Sequence, residues 1–190
     1  MRTSVGVLIA VATMLSWATP AAAQRTPVPD KGMVGIGVTA GVALPLDSSL
    51  DSGFDLAAQV EGYLTRRVSI RAQLSKAWND VTGRPFTGQV KPFAFDGDVV
   101  YNWEHGVWHP YASAGVGVYH YAFTENGIDS SDNKFGAVVG VGIEYFLTRH
   151  DTLVGEVDFH AIPGNVTSYR SAYEAGYWTF SGGYKRFFGK

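Results

Sequence analysis

"FDLAAQVEGYLTRRVSIRAQL", residues 54–74, is the stretch on which the fold turns. Phe54, Leu56, Ala58, Val60, Gly62 and Leu64 alternate with Asp55, Ala57, Gln59, Glu61 and Tyr63. After "TRR" (65–67), Val68, Ile70, Ala72 and Leu74 alternate with Ser69, Arg71 and Gln73. A helix would bring apolar residues together at spacings of three and four, whereas a period of two places them on one face of a strand. The stretch therefore reads as a hairpin with one apolar and one charged face. If its turn centres on Arg66, Glu61 lies across from Arg71 and Gln59 across from Gln73, which predicts a Glu61–Arg71 cross-strand ion pair.

The same period runs through eight segments, near residues 34–45, 54–64, 68–78, 90–103, 108–122, 135–146, 152–161 and 173–187. "IEYFLTRHDTLVGEV" (143–157) repeats the first hairpin: an acid, an aromatic, "LTR" and a return strand. Short breaks at 65–67, 104–107 and 147–151 alternate with loops near 46–53, 79–89, 123–134 and 163–172. Such loops, about 8–12 residues each, on one side and tight turns on the other form the asymmetry of outer-membrane barrels.

The opening "MRTSVGVLIAVATMLSWATPAAAQ" has a charge at Arg2, an apolar stretch from Val5 to Trp17 and "AAA" before Gln24. Residues 1–23 are therefore expected to be a cleaved secretory signal peptide, 24–33 a flexible periplasmic lead-in and 34–190 the barrel. The whole-chain charge of −2 becomes −3 without Arg2, a mild acidity that argues against nucleic acid as a partner. No cysteine is present, so an exported chain must be held by its fold or its surroundings rather than by disulfides. Beyond the signal no run of ~18 apolar residues occurs, which excludes a helical span.

Eight strands can close with the apolar face inward around a ligand or outward against lipid. Full charges in the middle of the second, third, fourth and seventh segments favour the second: an all-β, eight-stranded antiparallel up-and-down transmembrane β-barrel with a polar lumen. Tyr63, Trp103, Trp108, Tyr145 and Phe188 are expected to form an aromatic girdle at the short-turn rim. Phe54, Trp78, Phe93, Tyr121, Phe135, Phe159 and Tyr173 are expected to form one at the long-loop rim. "PYASAGVGVYHYAF" (110–123), "GAVVGVGIEYFLTRHDTLVGEVDF" (136–159) and "SGGYKRFFGK" (181–190) resemble strands of the small outer-membrane barrels of Gram-negative bacteria, the outer membrane protein A-like and X-like group. The resemblance implies a location in the cell outer membrane with both chain ends in the periplasm. It also implies recognition by the barrel assembly machinery through an aromatic near the C-terminus, here Phe188 followed by Gly189 and Lys190. No peptidoglycan-binding function is carried over.

With these faces, Asp55, Glu61, Asp96, Asp98, Glu144, Glu156 and Asp158 point inward against Arg71 and Lys185, with His109 and His160 beside them. The expected lumen charge network is Glu61, Arg71, Asp96, Asp98, Glu144, Glu156, Asp158 and His160. Seven acids cannot pair one to one with two bases, so some are expected to be hydrated, to bind a cation or to hold a proton. If the turn at 147–151 centres on His150, Glu144 and Glu156 face one another and share a proton.

"GEVDFHAIPGN" (155–165) is the most enzyme-like constellation, with Thr167 or Ser168 as the nearest candidate nucleophiles. His160 lacks the following strand serine that outer-membrane lipid A deacylases have, so no catalytic residue and no enzyme is expected. The five His residues show no ligand spacing, and no metal or cofactor is expected. "DSSLDSGFD" (47–55) and "IDSSDNK" (128–134) are oxygen-rich but lack calcium-loop spacing, and read as solvated loop residues. The glycines of "GVGVY" (115–119) and "GVGIE" (140–144) lie inside strands and are expected to make room in the lumen. Lys76 and Lys91 fall on the outward face near the long-loop rim, placed to contact phosphates of outer-membrane lipid or lipopolysaccharide, with Arg170 as a helper. The expected role is non-enzymatic: a monomer with a filled lumen, serving envelope integrity or binding a surface ligand through its loops. A narrow ion or solute channel is the alternative, and a lipid-modifying enzyme the third reading.

Overall fold

The computed structural model describes residues 29–82, 88–103, 106–169 and 171–189; the expected signal peptide, residues 24–28 of the lead-in and Arg170 lie outside the described residues. The strands are β1 (Val34–Pro45), β2 (Gly53–Tyr63), β3 (Val68–Asp80), β4 (Gly88–Asn102), β5 (Trp108–Glu125), β6 (Ile128–Phe146), β7 (Asp151–Ala161), β8 (Asn165–Thr167), β9 (Ala172–Glu174) and β10 (Tyr177–Phe188). Eight of them close an antiparallel barrel in the order β1-β10-β7-β6-β5-β4-β3-β2, and β8 and β9 form a separate small hairpin. Among the described residues no helix is long and apolar enough to cross a membrane; the crossing is made by strands.

The alternation sorts the side chains as the sequence analysis expects. Val60, Val99 and Val141 stand 49%, 57% and 60% exposed on the outside, while Glu61 and Arg71 are 1% exposed within. A surface this apolar around an interior this charged is stable only where the outer solvent is lipid. Glycines on the inner faces of β1, β5 and β6 make the room: a Cβ at Gly115 would land on the Asp98 carboxylate, and one at Gly140 on that of Asp158.

The first hairpin has the expected register, Glu61 opposite Arg71 and Gln59 opposite Gln73. The second does not. Glu144 lies opposite Val154 and Glu156 opposite Gly142, so the turn centres on Arg149 and the two acids do not face one another. The cause is a threonine-built turn common to both hairpins. The Thr148 hydroxyl accepts the His150 and Asp151 amides, just as Thr65 accepts those of Arg67 and Val68. In each the threonine directly precedes the central residue, Arg149 or Arg66.

The segment 123–134 is strand rather than loop. β5 and β6 continue to a two-residue turn at Asn126 and Gly127, both with positive φ (48° and 79°), the geometry that suits a right-twisted hairpin. "IDSSDNK" is therefore part of β6. Because β7 ends at Ala161 opposite Ala137, β6 from Ile128 to Gly136 rises past the barrel ladder on that side. The β8–β9 hairpin leans against this edge: the Thr167 amide donates to Asp132 Oδ2 at 3.0 Å and the Tyr169 amide to Ser130 Oγ at 3.2 Å. The Thr167 amide, with help from Lys134, holds the Asp132 carboxyl below its usual range. The last strand starts at Tyr177 rather than 173, since Tyr173 belongs to β9.

Candidate functional site

The lumen holds the chemistry, and it is stratified. At the short-turn end Met33, Tyr63, Phe146 and Phe187 form an apolar cluster. Phe146 and Phe187 stack at 5.7 Å, and Tyr63 meets Phe187 edge-on at 5.7 Å. Tyr63 is thus a plug residue and not part of the outer girdle. Met33, 1% exposed, is docked here, and Asp30 pairs with Arg66, so this end of the lead-in is fastened rather than loose.

Next comes Lys185, whose ammonium binds Glu61 and lies 2.6 Å from Glu144; Ser69 adds a hydroxyl to Glu61. Above it Arg71 binds Glu156, places Nη2 2.9 Å from Asp98 and donates to Ser113 at 3.3 Å, and Tyr111 donates to Glu156 at 2.5 Å. The expected Glu61–Arg71 pair is not made: of the two acids that the ladder sets beside Arg71, it keeps Asp98 on β4 and leaves Glu61 on β2, and it crosses the barrel to Glu156 on β7. Lys185 takes its acids from β2 and β6, each two strands away round the barrel. Glu144 and Glu156 are held by different cations.

Higher still stand Asp55, Asp96 and Asp158, all buried and none in a salt bridge among the described residues. Then the aromatic layers begin. The Tyr119 hydroxyl lies 3.0 Å from His160 Nδ1, and Tyr177 stacks on the imidazole at 4.3 Å. At the long-loop mouth Tyr121, Phe123 and Tyr173 stack in sequence at 6.3 and 5.8 Å, inside a larger apolar cluster with Ile162 and Val166. The Tyr121 hydroxyl donates to the Ala175 carbonyl, and the Tyr173 and Ser168 hydroxyls to Glu125. Tyr121 and Tyr173 are therefore a lid over the lumen rather than part of the outer girdle.

All eight residues of the expected network line the lumen, but Lys185, Tyr111 and Ser113 join them as working members. Tyr111 and Ser113 share the inward face of β5 with His109, so the alternation itself carried the signal. His160 is gripped by two tyrosines, and Ser168 is turned toward Glu125 and Ser171, so the two do not form a nucleophile and base pair. No group of three His, Asp or Glu residues that could hold a metal occurs among the described residues. On the outside, Lys76 is exposed and Lys91 partly so, near the long-loop end. Lys76 lies opposite Phe93, and its ammonium sits 5.2 Å over the Trp78 ring.

Comparison with known proteins matches the chain, over residues 8–185, to the family described as outer membrane protein beta-barrel domain. No curated protein matches it significantly. Among solved structures it is similar to Neisserial surface protein A, at 16% identity and a TM-score of 0.67, covering 82% of this chain and 99% of that one. It is similar to OprG of Pseudomonas aeruginosa at 14% identity and a TM-score of 0.66, covering 85% and 98%. The attachment invasion locus protein Ail of Yersinia pestis matches at 11% identity and a TM-score of 0.60, covering 83% and 99%.

Proposed function

From the premise that the chain belongs to the outer membrane protein beta-barrel family and sits in the outer membrane, we propose that it is a closed, non-enzymatic barrel. Its work is done at its surface: envelope integrity, and contact with a partner through the long-loop end. The observation that carries this reading is the double closure of the lumen. One aromatic cluster shuts each end, and Arg71 and Lys185 tie opposite walls together between them. A side-chain-filled interior leaves an eight-stranded barrel without a water path. What varies freely on such a scaffold is the loop end, here the β5–β6 projection with the β8–β9 hairpin against it. An attachment invasion locus protein among the structural relatives is in keeping with that role.

The test is single-channel conductance of the refolded barrel in a planar bilayer, with SDS-gel mobility before and after boiling as the folding control. Silence is expected, and discrete steps from demonstrably folded protein would replace this reading with a channel. Export on a cleaved signal, monomeric state and delivery by the assembly machinery through Phe188 belong to the same proposal. So does contact of Lys76 and Lys91 with lipopolysaccharide phosphates, where each alkyl stem lies along the apolar wall and the ammonium meets the headgroups. A Lys76→Ala/Lys91→Ala double variant should retain less lipopolysaccharide on purification; unchanged retention would remove that contact.

A further inference from the structure

Gln59, Gln73 and Asp96 stand side by side on β2, β3 and β4, Gln59 opposite Gln73 and Gln73 opposite Asp96, all facing the lumen. Neither atom of the Gln59 amide, nor the Gln73 carbonyl, nor either Asp96 oxygen has a hydrogen-bond partner among the described residues, and Gln59 is only 3% exposed. An unsatisfied buried polar group is destabilising, and a bare carboxylate more so. Asp98 Oδ1, Glu156 Oε1 and Asp158 Oδ1 also lack a hydrogen-bond partner among the described residues. Among the described residues, the neighbouring cation Arg71 is already engaged by Asp98 and Glu156.

These donors are amide and carboxylate oxygens. The imidazole of the upper lumen, His160, has its Nδ1 3.0 Å from the Tyr119 hydroxyl. An all-oxygen set of mixed charge suits a hard cation, and variable geometry suits calcium better than the strict octahedron of magnesium. Among the described residues no three carboxylates or imidazoles make a metal cage, so the site needs the two glutamine carbonyls beside Asp96. The geometry points to a hard-cation site of the calcium class in the upper lumen, held by Asp96, Gln59 and Gln73, that offsets the carboxylates left over by Arg71 and Lys185. Slow exchange of that ion rests on the closed-lumen reading above; its binding does not. With both ends shut by aromatic side chains, the ion would be enclosed as the barrel closes.

The barrel is refolded in detergent with calcium or with EDTA, desalted, and its calcium counted by mass spectrometry; folding and the unfolding midpoint are read from gel mobility. About one calcium per barrel is expected after refolding in calcium, withstanding EDTA added afterwards and raising the midpoint. Asp96→Asn should hold roughly tenfold less. Gln59→Leu, which keeps every charge, should fold and also lose the ion. Wild-type barrel that retains no calcium overturns the site, as does equal retention by folded Asp96→Asn. Calcium that EDTA strips at once, yet that still depends on Asp96 and Gln59, supports the site and overturns the closed lumen instead.

Discussion

The lower and upper halves of the lumen are equally buried and almost equally rich in carboxylates, yet they treat charge differently. Toward the short turns Glu61 and Glu144 share Lys185, and at mid-lumen Asp98 and Glu156 share Arg71. Toward the long loops Asp55, Asp96 and Asp158 have no cationic side chain in contact among the described residues. The lower half is complete within its own sequence, because two long cationic side chains each bridge acids from different walls. The upper half, floored by Arg71 and roofed by tyrosines, keeps a negative surplus that invites a charge from outside the chain.

The contrast can be broken hardest at Lys185. Lys185→Met strands two buried carboxylates, and should destabilise the barrel by about 3–5 kcal/mol in a urea titration read by gel mobility. A loss below ~1 kcal/mol would mean that the lower pairs contribute little. Next in size is the packing that brings the walls together: Gly115→Ala drives a methyl group into Asp98 and should cost about 1–3 kcal/mol. Asp96→Asn in calcium-free buffer should do the opposite of Lys185→Met, leaving stability within ~1 kcal/mol or raising it. A large loss there would erase the difference between the halves.

The smallest effect lies outside the barrel wall. Asp132 has its carboxyl held below the ordinary carboxylate range by the Thr167 amide. A depressed folded value means that this tie is intact above the ordinary range and is lost as pH falls through the lowered value. The protection of the Thr167 amide, read from its exchange rate relative to the intrinsic rate at each pH, should fall under acid in the native chain and stay constant in Asp132→Asn, with the protection of barrel amides unchanged in both.

The alternation made the strands, the faces and the buried charges legible, since a period of two is written residue by residue. Pairing was legible only in part: register sets both Glu61 and Asp98 beside Arg71 without choosing between them, while Glu156 and both partners of Lys185 come from strands farther round the barrel. Two misreadings had signals against them. The repeat "LTR" sets Arg149 where Arg66 stands in the first hairpin, which would have moved the second turn off His150 and separated Glu144 from Glu156. Asn126–Gly127 is a two-residue turn signal, but residues 129–134 on the β6 side are polar on both faces, so the alternation that marks a strand fades there. The inward turns of Tyr63 and Tyr121 follow parity, which outweighs an aromatic's usual preference for the interface, while Tyr173 is carried over the mouth by β9.

The plug at the short-turn end takes Met33 from ahead of β1, Tyr63 from β2, Phe146 from β6 and Phe187 from β10. Those four meet only after β1 has zipped onto β10, with Val34 against Phe188. The cluster is thus a record of finished assembly: an intermediate with its seam still open lacks this apolar stopper, and the last step of folding fastens the beginning of the barrel to its end with side chains as well as with the ladder.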